Sequence, residues 1–246
     1  MSFRAEVIGD ISSIKAEDWN RLAGNDNPFV SHAFLYALEV TGCAAPQAGW
    51  QAHHILIYEN GIDTPIGAMP LYLKSHSYGE YVFDHGWADA YQRSGRQYYP
   101  KMQSSVPFTP ATGPRFLTGG AENPQHIAQL LLNAAQQLTT TRDASSLHIT
   151  FMDESSCKTA ASAGMLERND IQYHWQNQNY KSFDDFLASL ASRKRKQIKK
   201  ERSSALASGV EIRLLKGSEI SEQDWDKFYQ FYVDTGSRKW GTPYLN

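Results

Sequence analysis

The chain has 246 residues, 41% hydrophobic and 20% charged, with a formal net charge of −2. This is ordinary globular composition for one large domain or two small ones, and it excludes a generally basic protein. The longest apolar runs, such as AQLLLNAA, fall far short of a membrane span, and the opening MSFRAEVIGDISS lacks the apolar core of a signal peptide. A cytoplasmic location and no integral membrane segment are therefore expected. Cys43 and Cys157 match no metal spacing, and a disulfide between them is not expected in a reducing compartment.

In chain order, FRAEVIGDI alternates like a strand. Ile14–Leu22 and Ser31–Val40 read as helices, the second with Ser31 as N-cap and Gly42 just past its end. Two strand-like runs, 53–58 and 66–73, flank a turn built on Asn60-Gly61 and predict a hairpin. Glu80–Asp84 reads as a third strand and Trp87–Ser94 as a short helix. Asn123-Pro124 opens a helix that runs to about Thr140, with Ile127, Leu130, Leu131 and Ala134 at helical spacing. A strand at Leu147–Met152, a helix at Ser155–Leu166 and a polar strand at Ile171–Tyr180 follow. Such mixed order argues against a doubly wound nucleotide fold and for a mixed α/β (α+β) fold with a mainly antiparallel sheet.

From Ser182 the texture changes. Ser182 caps a helix with Phe183, Phe186, Leu187 and Leu190 on one face, expected to continue to about Ser208 before Gly209. Val210–Leu215 reads as a strand, and Ser221 opens a helix carrying Trp225, Phe228, Tyr229 and Tyr232. The expected domains are 1–180 and 181–246, the second an incomplete lobe.

Between Tyr72 and Phe108 nine of 37 residues are aromatic, about twice the 12% of the whole chain, and Lys74, Glu80, Asp84 and Lys101 lie among them. Aromatic walls with a few placed charges suit a binding cleft, although a Tyr-rich half-exposed sheet would give the same composition. The loop PFTPATGP (107–114) is stiffened by three prolines. It either holds Thr109 or Thr112 against a ligand or is a rigid connector.

The signatures GxGxxG, GxxxxGK[ST], HExxH and GxSxG are all missing. His53 and His54 are adjacent, point to opposite strand faces and cannot chelate one ion, so no metal site is expected. RKRKQIKKER (193–202) carries a net of +6, leaving −8 on the remainder. It reads as a solvated helical face, as a patch for RNA, phosphate or the acyl-CoA pyrophosphate, or as a membrane-surface helix.

The pieces NPFVSHAFLYALE, GAMPLYLKSHSYGEYVFDHGWADAY, YYPKMQSSVPFTPATGPR, SRKRKQIKKERSSALASGVEI and FYQFYVDTGSRKWGTPYL, in this order, resemble the FemAB-like branch of the GNAT acyltransferases. That branch comprises predicted N-acyltransferases of peptidoglycan biosynthesis and recognition. The resemblance implies two GNAT-like lobes, the second normally continuing past KWG-x-PYL, so a truncated second lobe is expected. It also implies attack of an amine, on a small molecule, a peptide or a cell-wall precursor, upon an acyl group carried by acyl-CoA or aminoacyl-tRNA. These donors act as co-substrates, with no permanently bound cofactor; tRNA is the further candidate partner and DNA is not one. The GNAT pattern Q/R-x-x-G-x-G/A is missing, which leaves both donors open.

Glu80 and Asp84 are the candidate bases. Lys74, His76, Tyr78, Tyr98, Tyr99, Lys101, Thr109, Arg115, Lys239 and Trp240 are candidate substrate contacts, and Arg193, Lys196 and Lys200 candidate donor anion contacts. The alternative is a recognition module that binds a peptidoglycan precursor or nucleic acid without chemistry.

Overall fold

The structure, a computed structural model, describes residues 2–207, 209–239, 241 and 243–246. The first half runs β1 (Phe3–Ile8), α1 (Ala16–Ala23), α2 (His32–Val40), β2 (Trp50–Ala52), β3 (His54–Glu59), β4 (Gly67–Met69) and β5 (Tyr72–Lys74). It continues with α3 (His85–Arg93), β6 (Lys101–Ser104), α4 (Pro124–Thr141), β7 (Leu147–Ile149) and α5 (Glu154–Ser162). The last helices are α6 (Phe183–Ser189), α7 (Ser192–Ala207) and α8 (Glu222–Arg238). Contacts divide the chain into two units, one reaching Glu167 and including Pro243–Asn246, the other Arg168–Thr242. The boundary expected from sequence was 180.

The first unit holds two sheets, β1-β3-β4 and β2-β5-β6-β7, antiparallel except for the parallel β6–β7 pair. Two strand-forming runs each serve both sheets. Residues 50–59 give β2 to one and β3 to the other, with the break at His53; residues 67–74 give β4 and β5, with the break at Pro70 and Leu71. Proline has no N–H for a ladder, so a single strand across Pro70 is not available. The backbone N–H of His53 donates to the Leu71 carbonyl at 2.8 Å, pinning the two crossings together. The hairpin predicted for 53–58 and 66–73 is present, with Ile55 opposite Met69 and Ile57 opposite Gly67.

The apolar run of β3 is buried on both faces because two cores flank it. Leu56 and Tyr58 join Ile11, Trp19, Leu22 and Leu35 beneath α1 and α2. Ile55 and Ile57 join Met69, Met102, Ile127 and Leu131 beneath α4. Gly67 is required at that second contact: a Cβ there would lie 2.4 Å from Ile127 Cγ2. The fold is therefore mixed α/β with mainly antiparallel sheets, as the sequence indicates.

Four local expectations differ from what forms. Glu80–Asp84 is not a strand; Gly79 (φ +80°) and Tyr81 (φ +56°) are left-handed, so the chain turns twice there and Asp84 becomes the N-cap residue of α3. Segments 171–180 and 210–215 form no ladder among the described residues: the first is polar and exposed, the second exposed at Val210, Ile212 and Leu214. The helix expected over 182–208 is two helices, because Leu190 adopts an extended conformation (φ −85°, ψ 153°) that ends α6.

Within the second unit, Ser182 caps α6 and Ser221 caps α8 through their hydroxyls. Trp175, Tyr180, Phe183 and Phe186 form an aromatic cluster around α6. Only Leu187 of the expected α6 face is fully buried, while Trp225, Phe228, Tyr229 and Phe231 on α8 are exposed and Tyr232 is half-buried. No described helix is long and apolar enough to cross a membrane.

Candidate functional site

Strand alternation gives the four-stranded sheet two unlike faces. Leu73, Met102, Leu147 and Ile149 pack into the core under α4. Register puts Trp50 opposite Lys74 and Lys74 opposite Lys101, with Tyr72 opposite Gln103 one step along. The second face is thus polar, yet Lys74, Lys101 and Gln103 are each 0% exposed.

The turn through Gly79 and Tyr81 brings two carboxylates onto this face. Lys101 Nζ donates to Glu80 Oε2 at 2.7 Å and to Asp84 Oδ2. The Tyr98 hydroxyl also donates to Asp84 Oδ2 at 2.7 Å and lies 3.4 Å from His148 Nε2. Asp84 stands at the start of α3, but its side chain makes no cap bond; it is turned inward to Lys101 instead. Lys74 Nζ lies 3.5 Å from the centroid of the Trp50 ring, donates to the Tyr78 carbonyl at 3.3 Å and is 3.9 Å from Glu80 Oε1.

Burial governs the charges. It pulls Lys74 down to about 7 against the opposing pull of Glu80. It pushes Glu80 up, only partly offset by Lys101. Burial also pushes Asp84 up, but the hydrogen bonds from Lys101 and Tyr98, with the Ser77 hydroxyl nearby, outweigh it and leave Asp84 below its usual value. The Tyr98 phenol is held well above its ordinary value by burial and by Asp84.

The polar face is incompletely paired. Among the described residues, the buried side-chain atoms without a hydrogen-bond partner are Glu80 Oε1, Asp84 Oδ1, Gln103 Oε1, Ser105 Oγ and Trp50 Nε1. All five belong to this sheet face or to the segments that continue or cover it. Three are pure acceptors.

The structure therefore brings together Lys74, Glu80, Asp84, Tyr98 and Lys101, with Tyr99 tied in through its hydroxyl, 2.8 Å from Ser77 Oγ. The other candidates are placed differently. His76 packs on the Tyr78 ring and against Gly49, and Tyr78 is 63% exposed, so only its carbonyl reaches Lys74. Thr109 donates to its own loop at Pro107 O. Arg115, pulled down to about 10 by burial, donates to the carbonyls of Ala111, Gly113, Pro114 and Thr150, so it staples the proline-rich loop. Lys239, Arg193, Lys196 and Lys200 are exposed in the second unit. Trp240 lies outside the described residues.

The loop 107–114 does close one side of the cluster: Phe108 packs on Trp50 at 5.5 Å, and its N–H donates to Gly79 O. The result is a buried polar cluster, not the open cleft expected from sequence. A separate hollow of about 380 Å³, lined by Asp10, Glu39, Trp50, His53 and Arg142 among others, opens at the β2 edge and includes neither Glu80 nor Asp84.

Sequence reasoning missed several polar groups. Trp50, Gln103 and Ser105 sit on the site face, and the alternation of Lys101, Met102 and Gln103 was the signal for a one-sided polar strand. Glu39 was also missed. Its carboxylate accepts from Ile11 N, from His54 Nε2 at 2.8 Å and from the Tyr72 hydroxyl. Leu71 N donates to His54 Nδ1, which fixes Nε2 as the protonated nitrogen.

No curated protein matches the chain. Among solved structures, the crystal structure of a probable acetyltransferase superposes on 74% of this chain and 100% of its own, with 14% identity and a TM-score of 0.39. The FemAB-like family model, described as peptidoglycan biosynthesis/recognition, matches residues 10–246, and the chain belongs to that family.

Proposed function

We propose that the buried sheet face binds a primary amine and that the chain transfers an acyl or aminoacyl group to it. One observation carries this reading: Glu80 Oε1, Asp84 Oδ1 and Gln103 Oε1 are buried acceptors that receive no hydrogen bond, the Lys74 ammonium standing 3.9 Å from the first. A network serving only to join β5 to β6 gains nothing from three unpaired acceptors, each costing about 1–3 kcal/mol. An ammonium brings three donors and one positive charge.

In the reaction, Glu80, whose affinity for a proton is raised by burial, takes the ammonium proton. The freed nitrogen attacks the acyl carbon, a C–N bond forms, and the bond to the donor's sulfur or oxygen breaks. The departing thiolate or alkoxide takes the second proton, which the nitrogen loses as the amide forms, and Glu80 releases the first to solvent before the next turnover. Trp50 Nε1, an unpaired buried donor, suits the oxygen on which negative charge develops. Acyl-CoA and aminoacyl-tRNA are the proposed donors, and the exposed Arg193, Lys196 and Lys200 of α7 the proposed contacts for their phosphates. Membership of a peptidoglycan family supports a cell-wall precursor as the acceptor.

The test supplies acetyl-CoA or an aminoacyl-tRNA pool together with a lysine-containing muropeptide and reads product by mass spectrometry. Glu80→Gln is expected to slow transfer by about 10²–10⁴-fold. An unchanged rate in that variant would remove Glu80 from the mechanism. Muropeptide binding with no product from either donor would favour recognition without chemistry.

A further inference from the structure

Tyr244 lies against the outer side of the aromatic wall that covers the buried cluster. Its ring stacks on Phe108 at 5.2 Å and 22°, and meets Tyr81 edge-on at 6.2 Å. Phe108 in turn packs on Trp50, whose ring carries Lys74 Nζ at 3.5 Å. A continuous ladder, Tyr244–Phe108–Trp50–Lys74, thus joins the segment 243–246 to the buried cluster. Two residues further along, Asn246 Nδ2 donates to Thr41 O at 2.7 Å, and Cys43 Sγ donates to Asn246 Oδ1 at 3.1 Å.

The two aromatic residues that hold Tyr244 share an unusual backbone. Tyr81 (φ +56°) and Phe108 (φ +59°) are both left-handed without being glycine. That conformation is disfavoured for bulky side chains and persists where surrounding contacts over-determine it. Gly79 makes room for it: a Cβ there would stand 2.5 Å from the Phe108 ring. The seat has an aromatic slot at one end and, near Thr41 and Cys43, a donor–acceptor pair matched to a side-chain amide at the other.

We propose that Tyr81, Phe108, Thr41 and Cys43 form a binding site for a short extended peptide of aromatic-x-Asn type, filled in cis by Tyr244–Asn246, and that filling it latches the aromatic wall over Lys74 and Glu80. With Tyr244 seated, Phe108 is held between it and Trp50, and the cluster stays closed. When the segment leaves, Phe108 loses its outer partner and the wall can open. The site then has two states, set by whether the latch is in place.

Chemical labelling of the full chain tests this without any acyl-transfer assay, so its outcome is independent of the proposed reaction. Acetic anhydride reports on Lys74 and a disulfide reagent on Cys43, with exposed Lys194 and partly exposed Cys157 as internal references read by mass spectrometry. Tyr244→Ala and Asn246→Ala are each expected to accelerate labelling of Cys43, and Tyr244→Ala to accelerate that of Lys74, by roughly tenfold, as the loss of a stacked ring implies. Millimolar Pro-Tyr-Leu-Asn peptide should restore protection in Tyr244→Ala. The proposal is overturned if Lys74 in the unaltered chain labels as fast as Lys194. It is equally overturned if both variants label at the unaltered rate, or if the peptide has no effect on Tyr244→Ala. Circular dichroism of each variant separates latch release from unfolding: global loss of structure in Tyr244→Ala would mean that the segment is a structural element and not a latch.

Discussion

Lys74 and Lys101 stand directly opposite each other on neighbouring antiparallel strands, each wholly buried. Like charges in that relationship repel and are tolerated only when something else neutralises them. Here Lys101 is held by both Glu80 and Asp84, while Lys74 has Trp50 below it and a distant Glu80 oxygen. The two lysines are therefore unequal: Lys101 is the structural cation and Lys74 the one poised to lose its proton.

Removal of Lys101 should expose this difference. Lys101→Met leaves two buried carboxylates without their principal cation and is expected to destabilise the fold by about 3–5 kcal/mol. Adding Glu80→Gln and Asp84→Asn should recover part of that loss. Urea unfolding of the single and triple variants checks it, and equal stability of Lys101→Met and the unaltered chain would refute the inequality.

The Lys74 shift has a definite pH signature. Its value of about 7 in the fold lies below the ordinary 10.5, so between these limits the unfolded chain holds a proton that the folded chain has released. Stability should therefore rise from pH 7 to pH 10.5, by at most about 1.4 kcal/mol per pH unit, and the Lys74 term should level off below pH 7. Glu80 acts at the other end: its raised value means that stability falls as pH climbs through 4.5 toward its folded value. Subtracting the profile of Lys74→Met from that of the unaltered chain isolates the first effect. A flat difference between pH 7 and 10 would show that Lys74 stays charged.

Gly79→Ala tests the aromatic cover of the buried cluster. The φ of +80° and the Phe108 ring 2.5 Å from the added Cβ both oppose the change. A loss of about 1–3 kcal/mol is expected, together with increased exposure of Trp50 as Phe108 is displaced. Trp50 is one of six tryptophans, so the exposure is best read in a chain where it is the fluorinated one. Full stability with an unmoved Trp50 signal would mean that the wall is looser than the contacts imply.

For α7, the expected readout is ionic strength. If Arg193, Lys196 and Lys200 contact the phosphates of tRNA, their joint replacement by Ala should weaken tRNA binding and reduce the salt slope by about two to three. Filter binding across potassium chloride concentrations measures it, and an unchanged slope would free the basic run from that role.

The elements legible in the sequence were those whose pattern is local. Ser31, Asn123, Ser182 and Ser221 are N-caps in the structure as the sequence indicates, and the 53–58/66–73 hairpin follows from its alternation and turn. The grouping of Lys74, Glu80, Asp84, Tyr98 and Lys101 was legible as a charged and aromatic segment. What escaped depended on register and on chain crossings. No periodicity reveals that Lys74 meets Lys101, that the strand pairs change sheets at His53 and Pro70, or that Glu39 and His54 come together across 15 positions. The break between α6 and α7 carries no proline or glycine, so helical spacing ran through it.

The unpaired acceptors around Lys101 set the direction in which this protein can be made more robust. Replacement of a buried ionic group by well-packed apolar residues of similar volume is often neutral or stabilising by 1–4 kcal/mol. A search that selects variants for heat resistance alone should therefore converge on Lys74, Glu80, Asp84 and Gln103, converting them to Met, Leu or Phe. Directed stabilisation would mark out the site by erasing it.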